Sequence, residues 1–580
     1  MATQVSGAEQ SNIVKSGKHR AIWGWALLAP ALLCCLSELL IPTVRTFSMS
    51  LQEMRLPGEA GNFVGLENYV RLFQDQMFTG AVGFTLLLMG VRLLVVIIAP
   101  VVLALVVNQF GRKVRIPVRL LYTLPIVLFA PVVIALTWMA ALNPVLGLWS
   151  GQALADPQRA RQTLLLMDML YTLGLAGGAG LIVYLAALRT ENMAVSSRKK
   201  MLVPLAACWL VGLLATVAFS LQSFSTIFVM TRGGPANSTL TLGIYQYLVT
   251  FQRMRFGYGA AIAGLNLLVV MVLGIAAGLV VIWVGLHLKS VSRDKGTTLF
   301  SEMNKPLATG LLIVILLVSL SMGALSTLPL FWNTLNAFKT EADMLSAQFF
   351  PTAPSMAAFA RLRESIPLAR VFINTIVPLT GAVLFIQLPL AYLGALGLGA
   401  FRPLGRRSEW LLLPFSPWLF VGTIALSPTL TISVRGAGMF NTLPGLAPPI
   451  LLSVPMLFVL TLFFKGQAPH WEAAQAEGQP AVNAFFRQLV RPSLPLAALL
   501  GGITIWVELQ ALLWPLIVAS SPNRMTIMTA LLRLAMETGM PGIPVVAAGI
   551  ALLWLPLAIL FFLFLGVFQI FYLDRLSISR

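Results

Sequence analysis

Long apolar stretches separated by short polar segments run through almost the whole chain of 580 residues. About twelve of them reach the roughly 20 residues that an α-helix needs to cross a bilayer. We predict each to be a helix, because a segment in lipid must satisfy its own backbone hydrogen bonds. The pattern therefore predicts an all-α, polytopic membrane protein with about twelve transmembrane helices. The predicted helices lie at 22–44, 81–108, 120–143, 169–188, 201–225, 259–287, 306–329, 371–399, 410–433, 446–464, 494–518 and 545–571.

The composition agrees with a chain that lies mostly in lipid. Hydrophobic residues make up 58% of the sequence and charged residues only 10%, against about 25% charged residues in an ordinary soluble domain. A soluble enzyme needs more charge to cover its surface, so this class is excluded. The net charge of +19 comes from short clusters between apolar stretches, which indicates membrane orientation rather than nucleic-acid binding.

The basic clusters also predict how the helices are oriented. Lys and Arg are densest in the segments that are cytosolic if the N-terminus lies inside, as the positive-inside rule requires. The clearest of these clusters are 111–115 and the pair Arg406 and Arg407. We expect both the N-tail (1–21) and the C-tail (573–580) to be cytosolic. The first apolar stretch is longer than the core of a cleavable signal, so we expect an uncleaved signal anchor.

Two sets of six predicted helices share one layout. Each set has a long external segment between its first and second helices, at 45–80 and at 330–370. We infer a first six-helix domain over 22–288, a cytosolic linker over 289–305 and a second six-helix domain over 306–572. Six helices return the chain to its starting side of the membrane, so the two domains are parallel.

The strongest motif lies in the predicted cytosolic loop 466–493 of the second domain. It reads Glu472-Ala473-Ala474-Gln475-Ala476-Glu477-Gly478, followed by Phe485 and Pro492. This resembles the EAA loop of binding-protein-dependent ABC importer permeases. The resemblance implies a short helix that docks on the ATP-binding subunit and couples it to transport. Small alanines allow close packing, Gly478 can end the helix in a left-handed conformation, and Glu472 offers a charge. The residues implied in coupling are Glu472, Ala473, Ala474, Glu477, Gly478 and Phe485.

A second motif follows the fifth predicted helix of the first domain. It reads Thr231-Arg232-Gly233-Gly234-Pro235-Ala236-Asn237-Ser238-Thr239, and Gly-Gly-Pro favours a tight, fixed turn. It resembles an external loop of carbohydrate permeases of the maltose and glycerol-phosphate type. The phrase 513–518 of the second domain is similar to one in the partner permease. The resemblance implies two permease subunits fused in one chain. It also implies contact with a binding protein through Thr231, Gly233, Gly234 and Pro235.

The first domain departs from this family where its own coupling loop belongs. After Arg189 only the short segment 190–203 precedes Pro204, and it holds no Glu-Ala-Ala. The coupling role is therefore not carried over to the first domain. We expect asymmetric coupling, with one full coupling helix and one reduced contact.

Polar residues inside predicted helices are candidates for a substrate path. A charge at the centre of a membrane helix costs about 2.5–3.5 kcal/mol on insertion scales, which singles out Arg92 and Glu508. A salt bridge between these two has no local support. Gln222 and Gln510 occupy corresponding positions in the two fifth helices, as expected for a cavity near a pseudo-twofold axis. Hydrogen bonding between helices explains the glutamines equally well.

Other chemistry is missing from the sequence. There is no P-loop motif, no zinc-protease or hydrolase motif, and only three histidines that do not cluster. We therefore expect no catalytic residues, no metal site and no cofactor on this chain, with ATP and Mg²⁺ bound by partner subunits. The resemblance implies two ATP-binding cassette subunits, an external solute-binding protein and a carbohydrate substrate. It also implies the inner membrane of a prokaryote. No nucleic-acid partner is expected.

Two other classes of protein have a similar helix count. A secondary transporter of the major facilitator class also has twelve helices in two halves. Its loop motif needs an aspartate before the segment 111–113, where this chain has Asn108, Gln109 and Phe110. A membrane-embedded transferase would need acidic or histidine motifs outside the membrane. Both alternatives stay open. Copurification with an ATPase subunit would distinguish an ABC permease from both of them.

Overall fold

The protein is described by a computed structural model that covers residues 7–56, 61–143, 147, 153–189, 198–290, 305–346, 348–537 and 542–580. These residues are mostly helical, as the apolar pattern predicts. Many long helices continue through a single π-helical turn, which bends them without ending them. Four short strands form two small antiparallel ribbons.

The first half of the chain contains eleven α-helices and three strands among the described residues. Its helices are α1 (Gly7–Cys35), α2 (Ile41–Ser50), α3 (Glu67–Gln74), α4 (Gln76–Asn108), α5 (Arg112–Leu128), α6 (Pro131–Ala141), α7 (Pro157–Ala187), α8 (Arg198–Leu221), α9 (Ser225–Thr231), α10 (Leu242–Tyr247) and α11 (Phe256–Val284). Its strands are β1 (Gln52–Glu53), β2 (Asn62–Phe63) and β3 (His287–Ser290).

The second half contains thirteen α-helices and one strand among the described residues, with more irregular turns. Its helices are α12 (Lys305–Asn336), α13 (Glu341–Leu345), α14 (Ala357–Ser365), α15 (Leu368–Ala382), α16 (Leu388–Leu396), α17 (Thr423–Gly436), α18 (Val454–Ala476), α19 (Ala481–Phe485), α20 (Arg491–Leu509), α21 (Leu513–Val518), α22 (Ile527–Glu537), α23 (Ile543–Gly549) and α24 (Leu555–Phe571). The final strand is β4 (Leu576–Ser579).

Nine helical segments within the described ranges are long and apolar enough to cross a membrane. The pair α5 and α6 forms a tenth crossing that bends by 83°. Each of the ten overlaps one of the predicted helices, so the multi-pass membrane class is confirmed and the count of twelve is not. The nine segments are Arg20–Ser50, Gln76–Asn108, Pro157–Ala187, Leu202–Thr231, Phe256–Val284, Pro306–Asn336, Leu368–Phe401, Ala481–Leu509 and Ile543–Arg575.

The predicted helix 410–433 is wrong in its first half. The chain there forms two short 3-10 turns, Gly405–Leu412 and Ser416–Trp418, and regular helix begins only with α17. Pro414 and Pro417 explain the difference, because proline lacks the N–H group that a continuous α-helix needs. The regular helix α17 has only 14 residues, and it is not among the ten segments that can cross a membrane.

The predicted helix 446–464 is also displaced along the chain. Residues 447–453 are not helical, and α18 begins at Val454 and continues to Ala476. Pro448 and Pro449 account for the late start, since a residue before proline is pushed out of the helical region. Helix α18 also extends beyond the apolar stretch, and the Glu-Ala-Ala motif lies in its last turns.

The first helix of each half packs on the opposite half. Helix α1 lies along α16 and the π-helical turn Gly397–Phe401 that follows it, where a Cβ atom on Gly397 would come within 2.7 Å of the Gly24 carbonyl oxygen. Such small residues let membrane helices approach closely. In the reverse direction, α12 packs against α4, α6 and α7. The two halves therefore share one interdigitated bundle.

A short ribbon ties the last helix of the first half to the end of the second. Strands β3 and β4 pair antiparallel, with His287 opposite Ser579 and Ser290 opposite Leu576. Strand β3 packs on α18, whereas β4 packs on α7 and α8. The ribbon thus contacts the helix that carries the Glu-Ala-Ala motif and the helix that ends at the shortened loop.

A buried carboxylate fixes this ribbon to the first half. Asp574 lies 2.8 Å from Arg189 Nη2 and 2.9 Å from Arg119 Nη2, with its side chain 5% exposed. Arg189 also donates a hydrogen bond to the Leu576 carbonyl at 3.1 Å. Burial lowers the pKa of Arg189 to about 10, although the Asp574 charge opposes that effect. A charge this deep is tolerated because it is paired.

Two predicted segments lie mostly outside the described residues. Residues 190–197 of the shortened first loop and residues 291–304 of the predicted linker belong to them. The helix α8 begins at Arg198, within the basic cluster of the shortened loop.

Candidate functional site

A large cavity opens within the first half, between α4, α7, α8 and α9. Its volume is about 650 Å³, within the range of roughly 300–1,000 Å³ of small-molecule pockets. The walls are mostly apolar, with a few hydroxyl groups and aromatic rings. The lining includes Phe129, Thr172, Tyr184, Thr216, Phe219, Phe224 and Thr226.

An ion pair lies in the wall of this cavity. Arg92, which the sequence predicts on the substrate path, pairs with Asp168 through two hydrogen bonds: Nε to Oδ2 at 2.8 Å and Nη2 to Oδ1 at 2.7 Å. Arg92 Nη1 also donates to Ser223 Oγ at 2.7 Å. This parallel arrangement is the geometry in which Arg binds a carboxylate most strongly. Among the described residues lining the cavity, these two are the charged ones, so their charges offset each other.

The wall of the cavity also contains a broken helix. Helix α8 ends at Leu221 and α9 starts at Ser225, and the N-terminal residues of α9 line the cavity. Discontinuous helices of this kind place half-helix ends at solute sites in several transporter folds. The second half repeats the break between α20 and α21.

Gln222 lies in the break but acts across the two halves. Its Nε2 donates to the Phe420 carbonyl at 2.8 Å, and its Oε1 accepts from the Gly422 N–H at 2.7 Å. Both polar ends of the side chain therefore bind backbone groups of the second half. This favours the helix-to-helix role for Gln222 over substrate contact.

The Gly-Gly-Pro motif forms a compact loop directly after α9. The Thr231 and Thr239 hydroxyls lie 2.8 Å apart, and Thr239 donates to the Gly234 carbonyl at 2.7 Å. Gly233 has a φ of 91°, a left-handed conformation that favours glycine. The Gly234–Pro235 peptide bond is cis. The loop is held by its own hydrogen bonds at one end of a helix that lines the cavity.

The second half has no comparable cavity at Glu508 and Gln510. Glu508 lines a space of only about 30 Å³, together with Asn374, Thr375 and Trp514. Such a space holds about one water molecule. Gln510 is buried, with 8% of its surface exposed. The structure does not bring Glu508 to Arg92, whose partner is Asp168.

The Glu-Ala-Ala motif ends α18 in a regular capping geometry. The Gln479 N–H binds the Ala474 carbonyl and the Gly478 N–H binds the Gln475 carbonyl, each at 3.1 Å. Gly478 has a φ of 83°. These are the two hydrogen bonds and the left-handed residue of a Schellman motif. The helix therefore stops at a defined position and the chain turns sharply towards α19.

Aromatic rings pack against the end of α18. Phe401, Trp471 and Phe485 pack together, with the centres of the Phe401 and Trp471 rings 5.4 Å apart. Arg20 of α1 lies over the Trp471 ring at 4.8 Å and 3.7 Å from Glu472. Phe485 thus packs against the end of α18, and its coupling role stays a prediction.

Several residues at the end of α18 and in α19 are exposed to the surroundings of the protein. We call this region the 472–486 surface, defined by its exposed residues Glu472, Ala473, Glu477, Gly478, Val482 and Phe486. Ala474, in contrast, is buried against the bundle. The surface combines two carboxylates with two exposed apolar side chains, Val482 at 70% and Phe486 at 56% exposure. Exposed apolar groups rimmed by charge are typical of protein–protein contacts.

The bundle of membrane-crossing helices and the cavity within its first half are those of a multi-pass membrane transport protein. Comparison with known proteins makes this more specific. A probable ABC transporter permease of Pyrococcus horikoshii is 30% identical over 241 residues, which cover 36% of this chain and 79% of that protein. The chain therefore belongs to the ABC transporter permeases. No family model matches it.

Other relatives are named after sugar transport. The lactose transport system permease of Rhizobium radiobacter is 28% identical over 43% of this chain and 91% of its own length. The multiple sugar-binding transport system permease of Streptococcus mutans is 26% identical over 44% of this chain and 92% of its own length. These relatives are transport components, which confirms the prediction that this chain is not an enzyme.

The sequence pattern missed the acidic half of the ion pair. The apolar stretch begins at 169, so Asp168 seemed to lie in a loop, whereas α7 starts at Pro157. The signal that marks this start is Asp156, which accepts hydrogen bonds from two N–H groups of the first turn, followed by proline. An Asp N-cap before Pro at the first helical position is a recognised start signal.

Proposed function

We propose that this chain is the membrane permease of an ATP-driven importer that passes an uncharged sugar or a similar solute into the cytosol. The single observation that carries the proposal is the cavity of about 650 Å³ with its internally neutralised Arg92–Asp168 pair, in a chain of the ABC permease family. The solute would bind between α4, α7, α8 and α9.

The composition of the cavity supports an uncharged solute. A polyol phosphate or an acidic sugar would need an unpaired cation, but the Arg92 guanidinium already binds a carboxylate with two hydrogen bonds. Hydroxyl groups and aromatic rings remain available for sugar hydroxyls and ring faces. A mostly apolar pocket with a few placed polar groups is the usual form of a small-molecule site.

The lengths of the relatives support a fused pair of permeases. Each sugar-transport relative aligns over at least nine-tenths of its own length with less than half of this chain. The chain is therefore long enough for two such proteins, and the order of long, short and broken helices recurs in its two halves. The cavity lies in the first half and the Glu-Ala-Ala motif in the second, so the two halves would divide the work.

The 472–486 surface would bind the partner that hydrolyses ATP. It is exposed, carries two carboxylates, and is fixed in position by the Schellman turn and the aromatic cluster. Two ATP-binding cassette subunits would hold ATP and Mg²⁺, and a solute-binding protein would deliver the sugar near the loop at Gly233 to Pro235. Both tails would then be cytosolic, in the inner membrane of a prokaryote.

This coupling role is tested by copurification from the native membrane, in which the original chain is compared with a variant whose charge at Glu472 is reversed. The full chain should bring down an ATPase subunit, and Glu472→Lys should weaken this association or leave ATP hydrolysis without uptake. Glu341→Gln, which changes an exposed carboxylate far along the chain from the motif, is the control and should behave like the original protein. Normal association and uptake in the Glu472→Lys variant would contradict the proposal.

A further inference from the structure

A second cavity lies between the two halves, at a different place from the solute cavity. It has a volume of about 230 Å³ and is enclosed by α5, α6 and α7 on one side and α12 on the other. Helix α12 is the first helix of the second half and crosses over to pack on the first. The cavity therefore occupies part of that crossing.

The two helix crossovers differ in how closely they pack. At the α1 crossover, Gly397 leaves no room for even a Cβ atom against Gly24. At the α12 crossover, a Cβ atom on Gly323 would have no other atom within 4 Å. The helices α5 and α6, which line the cavity opposite α12, meet at a bend of 83°. The cavity lies beside this bend, and residues on both sides of it, including Leu128 and Val133, line the cavity.

The polar groups in the wall of this cavity are already bound within the protein. Tyr171 donates to the Ser326 carbonyl at 2.8 Å and accepts from Trp138 Nε1 at 2.9 Å. Tyr122 and Ser319 share a hydrogen bond, and Thr327 donates to the Gly323 carbonyl at 2.7 Å. No polar group here depends on a polar ligand, so the cavity favours an apolar one. Apolar cavities of about 150 Å³ or more stay dry and take up apolar ligands.

The rim of the cavity is continuous with the lipid-facing surface. Leu124 and Leu320 line it and are 39% and 59% exposed. The floor is different, since Val133, Ile134 and Leu170 are each less than 5% exposed. An exposed apolar rim on a membrane-crossing segment opens to the bilayer. Lipid is therefore the apolar material that can reach the floor.

We propose that an acyl chain of a membrane phospholipid fills the cavity between α12 and the bent pair α5–α6. The chain enters past Leu124 and Leu320 and reaches the buried floor. There it replaces the side-chain contacts that the bend removes. The acyl chain becomes part of the contact between the two halves.

Photo-crosslinking of the full chain in lipid nanodiscs tests this proposal. The nanodiscs contain phosphatidylethanolamine with a diazirine in one acyl chain, and labelled peptides are identified by mass spectrometry after illumination. We expect labels on the floor residues Val133, Ile134 and Leu170, in addition to the exposed rim. Labels on the rim alone would overturn the proposal, because they would show lipid at the surface but not inside.

Two glycine variants on α12 distinguish the effect of filling the cavity from the effect of adding a side chain elsewhere on the helix. Gly323→Leu places a side chain in the cavity and should remove the floor labels while the rim labels remain. Gly310→Leu is the matched control, because Gly310 also has open space around it but does not line the cavity. It should keep the floor labels. Floor labels that persist in Gly323→Leu would contradict the proposal, whatever solute the protein transports.

Discussion

At the scale of single residues, two sets of paired charges have little exposed surface. Arg92 and Asp168 pair in the wall of the cavity of about 650 Å³, and Asp574 pairs with Arg119 and Arg189 beside the β3–β4 ribbon. The sequence singled out Arg92 as a costly charge and hence a candidate for a substrate path. It did not identify the partners, because a contact between residues 76 positions apart leaves no mark in local periodicity.

We predict that Asp168→Asn weakens both folding and solute uptake. Removing one partner of a buried, hydrogen-bonded charge pair costs about 2–5 kcal/mol, and access to water in the cavity favours the lower end. Thermal unfolding in detergent and uptake of labelled sugar measure the two effects. The double variant Arg92→Gln with Asp168→Asn removes both charges and should recover stability. A single variant as stable as the original protein would contradict this role of the pair.

We predict that Asp574→Asn destabilises the protein more than a surface change does. It leaves the Arg119 and Arg189 side chains buried without their carboxylate, and breaking such a pair costs about 3–5 kcal/mol. The control is Glu67→Gln, which removes an ion pair that is about half exposed and is worth roughly 0–1 kcal/mol. Unfolding temperatures measured side by side compare them, and equal shifts would count against a structural role for Asp574.

At the scale of elements, the apolar pattern located ten crossings and predicted two further helices, 410–433 and 446–464, that do not form as predicted. The prediction of these ten is correct because a long apolar segment in lipid has to be helical to satisfy its backbone hydrogen bonds. Residues 410–433 and 446–464 failed because proline pairs interrupt apolar stretches that look continuous. The end of α18 shows the opposite case: Gly478 predicted the stop, and the structure has a Schellman turn there.

We predict opposite effects from two Gly→Ala changes. Gly478→Ala puts a side chain at a φ of 83° with open space around it, so its cost is conformational, about 1–2 kcal/mol. Gly436→Ala, at the end of α17 with no atom near its Cβ, should stabilise by up to about 1 kcal/mol. Thermal unfolding of both variants measures the signs. Stabilisation by Gly478→Ala would contradict the left-handed turn.

We predict that acid weakens the β3–β4 ribbon through His287. Burial, and then the charges of Lys289 and Lys465, lower the pKa of His287 from 6.5 to about 4. Neutral His287 therefore contributes stability above about pH 6.5, and this contribution is lost as the pH falls towards 4. Unfolding temperatures across this range should fall more steeply for the original protein than for His287→Gln, which does not titrate. Parallel curves would contradict the assignment.

At the scale of the whole molecule, the two halves resemble each other in layout and differ in content. The first half holds the large cavity, and the second holds the turn that ends α18. Exchange of the first helices and the β3–β4 ribbon join them, and neither is visible in the sequence, because both depend on packing between distant segments. The motifs predicted an external Gly-Gly-Pro loop in the first half and a coupling helix in the second, and this division of roles stays a prediction.

The most direct measurement is uptake of labelled, uncharged sugar by proteoliposomes that contain the full chain, its copurified ATPase subunits and a binding protein. The account predicts uptake that requires ATP hydrolysis and that stops when residues 472–478 are deleted, while the deletion variant still inserts in the membrane. Uptake by the chain alone, driven by a proton gradient without ATP, would contradict the account.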